Sequence, residues 1–341
     1  MSIPLTHHGT DSGRGNLLGV QPFLTAADYA SAETFRAALE PYLNTAREAG
    51  CLGPRTVAVF PEYIGTFLAA VGHGAPVRSA PTLAAAMRRV ALNVGLAYAG
   101  QLLRSRERDR STAALFRSQA DRMVMAYQAA FSGLARDYAV TVVAGSIILP
   151  SPRIEAGRVR AGDGPLYNAT VVFGPDGLAH PALVRKAYPT GDEQPHLTAA
   201  PAADLPAFDT PAGRLGVLVC ADAWYPPAYA QLKSRGVELL AVPAFVSKPG
   251  AWDKLWGGYD GHPAPADVDW ADVGALSEGQ AWRKYALAGR LPESGARAGL
   301  VTYLRGQFWD LTADGGVSLA VAGDQVVEAS GAGGALLNLW L

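Results

Sequence analysis

The stretch Gly213-Arg-Leu-Gly-Val-Leu-Val-Cys-Ala-Asp-Ala-Trp-Tyr-Pro-Pro227 decides how this chain is read. Its apolar run has the length and β-branched content of a buried strand, and it stops at Cys220, with a Pro-rich turn behind. A single thiol at a strand-to-helix junction is where α/β enzymes place nucleophiles, although a lone cysteine in such a strand is also an ordinary packing residue. Only one other cysteine is present, Cys51, in the loop-like Gly-Cys-Leu-Gly-Pro.

Outward from that strand the pattern is α/β. Leu17 to Leu24 reads as a first strand, and Thr25-Ala-Ala-Asp28 resembles a capping box opening a helix. Phe35, Leu39, Leu43 and Ala46 share one helical face, with Pro41 expected to kink or restart that helix. Thr56 to Phe60 is a short buried strand ending at Pro61-Glu62. Residues 72–110 are rich in Ala and Arg and read as a helical elaboration, and Phe116 to Tyr138 repeats apolar residues at helical spacing before a strand over Val140 to Leu149. Hairpin signals follow at Asn168 to Gly177, returning through Leu178 to Lys186, and at Ala207 to Gly213, returning into the Cys220 strand. A helix over Pro227 to Ser234, a strand over Val237 to Val242 and strands near Leu300 and Val317 complete the pattern. Alternating helices and strands early, with hairpins later, imply a mixed sheet covered on both faces.

Composition narrows the function classes. The 341 residues carry a formal net charge of −1, 49% hydrophobic and 17% charged residues, which suits one globular domain over residues 1–341. The basic residues are scattered, so no nucleic-acid footprint is expected. The N-terminal segment lacks the pattern of a secretory signal, and Leu83 to Leu103 is too polar to span a bilayer, so no membrane partner is expected. Two cysteines fit a reducing, cytoplasmic setting. The six histidines show no ligand spacing with cysteines or carboxylates, so neither a zinc site nor a cofactor is expected.

Three residues hold equivalent places just beyond apolar strands: Glu62, Lys186 and Cys220. The chain has only five lysines among its 29 basic residues, so a Lys beside Arg185 looks like a choice of amine. An ammonium near a thiol favours thiolate and can hold an oxyanion as a compact charge, and a carboxylate can move protons. Taken singly, each also has a structural reading: a packing thiol, a helix N-terminal acid, a solvated cation.

In order, Phe-Pro-Glu62, Leu-Tyr-Asn168-Ala-Thr-Val-Val-Phe-Gly-Pro-Asp-Gly177, Arg-Lys186 and Thr-Pro-Ala-Gly-Arg-Leu-Gly-Val-Leu-Val-Cys220-Ala-Asp222 resemble the nitrilase superfamily of carbon–nitrogen hydrolases, from the first strand to about Ala322. The resemblance implies a four-layer α-β-β-α sandwich with mixed sheets, assembled as a homodimer or higher homo-oligomer. It also implies a Glu62-Lys186-Cys220 triad in which Cys220 attacks an amide-like carbonyl, Glu62 moves protons, and Lys186 with the backbone N–H of Ala221 holds the oxyanion. Ala221, where true nitrilases usually carry Trp, turns the expectation from nitriles toward an amide or N-carbamoyl amine. Alternatives are an acyl-transferring relative and a noncatalytic member kept for binding or assembly. The second glutamate common in relatives is sought after the strand at Val140 to Leu149, where Glu155 is the candidate, with Ser151 and another group as substitutes. Tyr63, Trp224 and Tyr225 are candidates for the pocket, with helix packing as the other reading of the Trp-Tyr pair. The family's Arg-Ala-x-Glu-Asn patch is matched loosely by Ala-Gly-Arg290-Leu-Pro-Glu293-Ser. Residues 248–280, with Trp252, Trp256, Tyr259 and Trp270, read as an insertion, either a lid or a surface or subunit-contact excursion.

Overall fold

Leu17, Leu18 and Val20 lie in a strand with no solvent on either side, and that sets the layering. A computed structural model describes residues 3–329 and 333–341. In it the strand Asn16–Gln21 is buried throughout, with its side chains alternating between two cores. Leu18 and Val20, with Ala58 from the next strand and Phe60 just beyond its end, face outward onto Phe35 and Leu39 of the helix Ala32–Glu48 and Phe131 of the helix Arg110–Tyr138. Leu17, Val57 and Val59 face inward onto a second sheet, meeting Leu215, Val217 and Leu300. Gly19 permits the close approach of the sheets, since a Cβ there would lie 2.9 Å from Leu300 Cδ2.

The first sheet has six strands, in the order Leu5–His8, Ala335–Trp340, Asn16–Gln21, Thr56–Val59, Thr141–Val143 and Val172–Phe173. The second, also six-stranded, runs Ala207–Thr210, Gly213–Val217, Leu239–Ala244, Ala298–Tyr303, Leu319–Ala322 and Gln325–Glu328. Its central three strands are parallel and its edges are antiparallel hairpins. Helices Pro226–Ser234 and Leu287–Ser294 cover its outer face through Leu232, Leu287 and Leu291. The architecture is therefore the four-layer α-β-β-α sandwich with mixed sheets.

Several elements differ from the sequence reading. The helix Ala32–Glu48 runs through Pro41 without restarting. The missing Pro41 N–H costs about 3 kcal/mol, which burial of Phe35, Leu39, Tyr42 and Leu43 along one face offsets. The first strand is two, Asn16–Gln21 and Phe23–Thr25, the latter pairing with Arg305–Phe308 in a separate small sheet. The region read as one strand over Val140 to Leu149 is also two, Thr141–Val143 and Ile147–Pro150, broken at Gly145.

That break bears on the site. Gly145 has φ +64°, and a Cβ there would fall 2.1 Å from the Pro61 carbonyl oxygen, directly before Glu62. Left-handed strain and backbone overlap together predict that Gly145→Ala lowers folding stability by about 2–4 kcal/mol, read as a drop in the urea midpoint at unchanged m-value. An unchanged midpoint would refute the crowding argument.

Residues 72–110 form the helices Ala75–Arg78 and Leu83–Arg104, the second kinked at Gly95 (φ 33°, ψ −97°). They share a small apolar cluster, including Val77, Ala86 and Val90, with Leu115 of the long helix. Among the described residues, no helix is long and apolar enough to cross a membrane.

Candidate active site

Glu62, Lys186 and Cys220, more than a hundred residues apart from first to last, converge at the ends of strands from three sheets, the two six-stranded ones and a three-stranded one formed by Val184–Arg185, Leu166–Thr170 and Ile147–Pro150. Each arrives by a separate local device. Glu62 follows Thr56–Val59 and is held by its neighbour: the Tyr63 N–H donates to Ser146 Oγ at 2.9 Å while Tyr63 itself adopts φ 62°. Lys186 directly follows the short strand Val184–Arg185, which pairs antiparallel with Leu166–Thr170, and its N–H donates to the Asn168 carbonyl at 2.9 Å. Cys220 occupies a sharp elbow between Gly213–Val217 and the 3-10 turn Cys220–Trp224, with φ +48°. A non-glycine residue there stores on the order of 1 kcal/mol or more of backbone strain, which the surroundings must hold.

Asp222 holds it. Fully buried, its carboxylate accepts from the N–H groups of Ala187 (2.9 Å), Tyr188 (2.8 Å) and Val219 (3.1 Å), tying the Cys220 elbow to the segment after Lys186. Burial pushes Asp222 up to about 6, against the pull of Lys186 and these N–H donors. In the sequence Asp222 stood only as part of the motif, and its clamping role was not read.

The ionic centre is Lys186, 2% exposed, whose Nζ donates to Glu62 Oε1 at 2.8 Å and to Glu193 Oε2 at 2.6 Å. Asn168 Nδ2 bridges the same two carboxylates at 2.9 and 3.0 Å, and the Tyr63 hydroxyl donates to Glu193 at 2.5 Å. The Thr190 N–H adds a bond to Glu193 at 2.8 Å. Burial alone would lower the Lys186 pKa, but Glu193 and Glu62 together hold it well above its ordinary value. Glu193 is held below the carboxylate range, burial being outweighed by Lys186 and its hydrogen bonds. Glu62 is pushed up to about 7 by burial, with Lys186 opposing and Glu193 adding to the rise. The pair Lys186–Glu193 is thus a fixed ion pair, and Glu62 is the carboxylate free to exchange a proton near neutrality.

Cys220 departs from the sequence reading in one respect. Burial pushes its thiol well above the ordinary value, Glu62 adds to this, and Lys186 opposes without prevailing. Burial first, and then Glu62, favour the thiol form over a thiolate, and the ammonium, already paired with two carboxylates, does not reverse this. Cys220 Sγ also lies 3.8 Å from the Phe245 carbonyl oxygen. Among the described residues the Ala221 N–H donates to no protein acceptor.

Glu155 is not part of this centre. It sits in the exposed hairpin Arg153–Glu155 and Arg158–Arg160, where its carboxylate pairs with Arg153 at 2.6 Å. The glutamate beside Lys186 is Glu193. In the sequence Glu193 stands seven residues beyond Lys186 in the turn Thr-Gly-Asp-Glu, with no motif that marks its approach to the lysine. Trp224 packs in an aromatic cluster with Trp256 (5.6 Å), Trp282 (5.0 Å) and Tyr259 (5.7 Å). Tyr225 stacks on Tyr188 at 3.9 Å.

The 248–280 segment supplies Trp256 and Tyr259 to that cluster, leaves Trp270 exposed, and is anchored by Arg290, buried and bonded to Asp267 (2.8 Å) and Glu293 (3.0 Å). Its Asp260 accepts from the Gly191 N–H at 2.9 Å, bracing the loop that carries Glu193.

Residues 32–258 match the family model for carbon-nitrogen hydrolase. The chain belongs to the carbon-nitrogen hydrolase family. Among solved structures it is similar to an amidase from Nesterenkonia sp. AN1 in a mutant form bearing acrylamide added at the active-site cysteine, with TM-score 0.56 and 15% identity over 96% of this chain and 93% of that one. The same amidase carrying the acetamide moiety of fluoroacetamide on that cysteine gives TM-score 0.57 and 16% identity over 98% and 93%. At this identity the likeness is one of fold. A stretch of 51 residues is 41% identical to the deaminated glutathione amidase of Yersinia enterocolitica, covering 15% of this chain and 18% of that protein. The carbon-nitrogen hydrolase chain thus spans under a fifth of the curated relative it matches.

Proposed function

We propose that this protein hydrolyses a non-peptide carbon–nitrogen bond, that of an amide or an N-carbamoyl amine, through a thioester on Cys220. The observation that carries the reading is the Glu62 carboxylate, with its pKa near 7, held by Lys186 and Asn168 and facing the Cys220 thiol in a buried centre. Glu62 takes the thiol proton as sulfur bonds to the carbonyl carbon. The carbonyl π electrons move to oxygen, and that oxyanion is held by the Lys186 ammonium and the free Ala221 N–H. As the oxyanion collapses, the C–N bond breaks and Glu62 returns the proton to the leaving nitrogen. Water then gives its proton to Glu62 and its hydroxide to the thioester carbon. The C–S bond breaks, sulfur recovers the proton, and a carboxylic acid leaves. No cofactor enters the balance. The cysteine adducts of the Nesterenkonia amidase support the same chemistry by analogy.

The test is an amide and carbamoyl panel followed by ammonia release, with mass spectrometry of the acylated protein. An acyl adduct mapping to Cys220 supports the reading, and a panel giving neither ammonia nor adduct defeats it.

Glu193 is assigned as a positioning residue, holding the ammonium in place and keeping Glu62 protonatable. Because the base form of Glu62 exists above its pKa, kcat/KM should rise with pH through about 7 and then level. Since Glu193 helps raise that pKa, Glu193→Gln should move the acid limb to lower pH while lowering kcat by about 10- to 100-fold. A variant with reduced amplitude and an unmoved limb would show that Glu193 acts only through the fold.

A further inference from the structure

Beside the triad is a cavity of about 720 Å³. Two of the residues lining it also touch the catalytic centre. Tyr63 follows Glu62 and donates to Glu193, and Phe245 brings its carbonyl to 3.8 Å from Cys220 Sγ. Their rings meet edge to face at 5.2 Å. Further out, the walls are Phe67, Met87, Leu115 and Phe116, the last three contributed by the elaborating helix Leu83–Arg104 and the long helix Arg110–Tyr138. The charges on its rim, Arg88 and Asp310, are solvent-exposed, and Asp310 is already bonded to the Leu83 N–H at 2.7 Å.

The size and lining of this space carry chemical information. Its volume falls in the roughly 300–1,000 Å³ range of small-molecule sites, far beyond what a two-carbon acyl group fills. The walls are mainly aromatic and aliphatic, with Thr66, Tyr98, Ser111, Thr112 and His196 as the polar groups among them, so they reward an apolar occupant, and a charged or sugar-like substituent would lose most of its hydration there.

We propose that this cavity, walled by the 83–104 helix and bordered toward Cys220 by Tyr63 and Phe245, receives an apolar alkyl or aryl substituent of the substrate, of benzyl size or larger. The proposal rests on the amide-cleaving reading and deepens it by naming the substrate class. It also assigns the helical elaboration a role, as the outer wall that sets specificity.

The experiment uses the Cys220→Ala protein, which binds without turning over, titrated calorimetrically with acetamide, hexanamide, 4-phenylbutyramide and N-benzylacetamide. At about fourfold per buried methylene, the apolar ligands should bind at least about tenfold more tightly than acetamide. The two long acyl amides report an acyl-side substituent, and N-benzylacetamide an amine-side one. Adding Ala91→Trp, which fills the cavity from a partly exposed helix position, or Met87→Glu, which places a charge in its wall, should collapse that ratio toward one. Equal affinity for all four ligands, or a ratio unmoved in both variants, overturns the proposal. The wild-type protein separates the two readings. Selective binding with no turnover of any amide defeats the hydrolase reading while supporting the cavity's ligand class, whereas turnover without selectivity does the reverse.

Discussion

Replacing Cys220 with alanine is expected to lower amide turnover by about 10⁵-fold or more, to the background rate, with little change in stability. The size of the effect follows from the covalent route: without sulfur, the remaining oxyanion donors and bound geometry have no nucleophile to assist, and losses of this order accompany removal of the nucleophile in a unit of interdependent groups. Stability is largely spared because the substitution deletes a single buried atom at an elbow whose geometry is held by Asp222, not by the thiol. Cys51→Ala is the matching control. That thiol lies in the core between the first sheet and its helices, 3.8 Å from His7 Nδ1 and remote from the triad, and its removal should leave kcat unchanged. The measurement is kcat for both variants on any amide the wild type accepts, with intact-mass detection of the acyl protein. Retained turnover in Cys220→Ala, or an adduct on Cys51, would end the assignment.

The Glu62, Lys186 and Cys220 constellation was legible in the sequence because each member sits just after an apolar strand, although the three strands belong to three different sheets. The sequence did not disclose which other groups join them. Asp222 and Asn168 act through buried hydrogen bonds to backbone and carboxylate, and nothing in a motif distinguishes such residues from packing ones. Glu193 was missed for a different reason. Its approach to Lys186 depends on the tight turn at Thr190, braced by Asp260 from an insertion seventy residues later, and no local pattern encodes that contact. The same limit applies to the fold. The strands adjoining Cys220 announced themselves by composition, but the C-terminal strand Ala335–Trp340 gained no assignment, although it lies in the first sheet between the edge strand Leu5–His8 and Asn16–Gln21. Pairing between the two ends of a chain is a long-range contact, and Ala-Leu-Leu-Asn-Leu-Trp reads equally as strand or helix until its partners are known. Pro41 misled in the opposite direction, since a local rule was outweighed by burial of a whole helical face.

Lys186→Arg is expected to lower kcat by about 10³-fold or more although it conserves the charge. Lys186 Nζ is a point donor wedged 2.8 Å from Glu62 and 2.6 Å from Glu193 at 2% exposure. A guanidinium is longer and planar, and it would satisfy the two carboxylates as a fork, which carries its charge away from the position where the oxyanion forms. Extra volume in a full site costs a further 1–3 kcal/mol or so in stability, which thermal denaturation would register apart from catalysis. The pH profile separates the two things this lysine does. Its positive charge opposes the rise in the Glu62 pKa, so Lys186→Arg should keep the acid limb near its wild-type position while losing rate. Lys186→Met removes the charge, leaves Glu62 and Glu193 facing each other without a cation, and should move that limb to higher pH as well as destabilise the fold by about 3–5 kcal/mol. Near-wild-type kcat in Lys186→Arg would mean that any cation between the two carboxylates suffices. The lysine would then be a counter-ion to Glu62 and Glu193, and the oxyanion would depend on the backbone N–H of Ala221 alone.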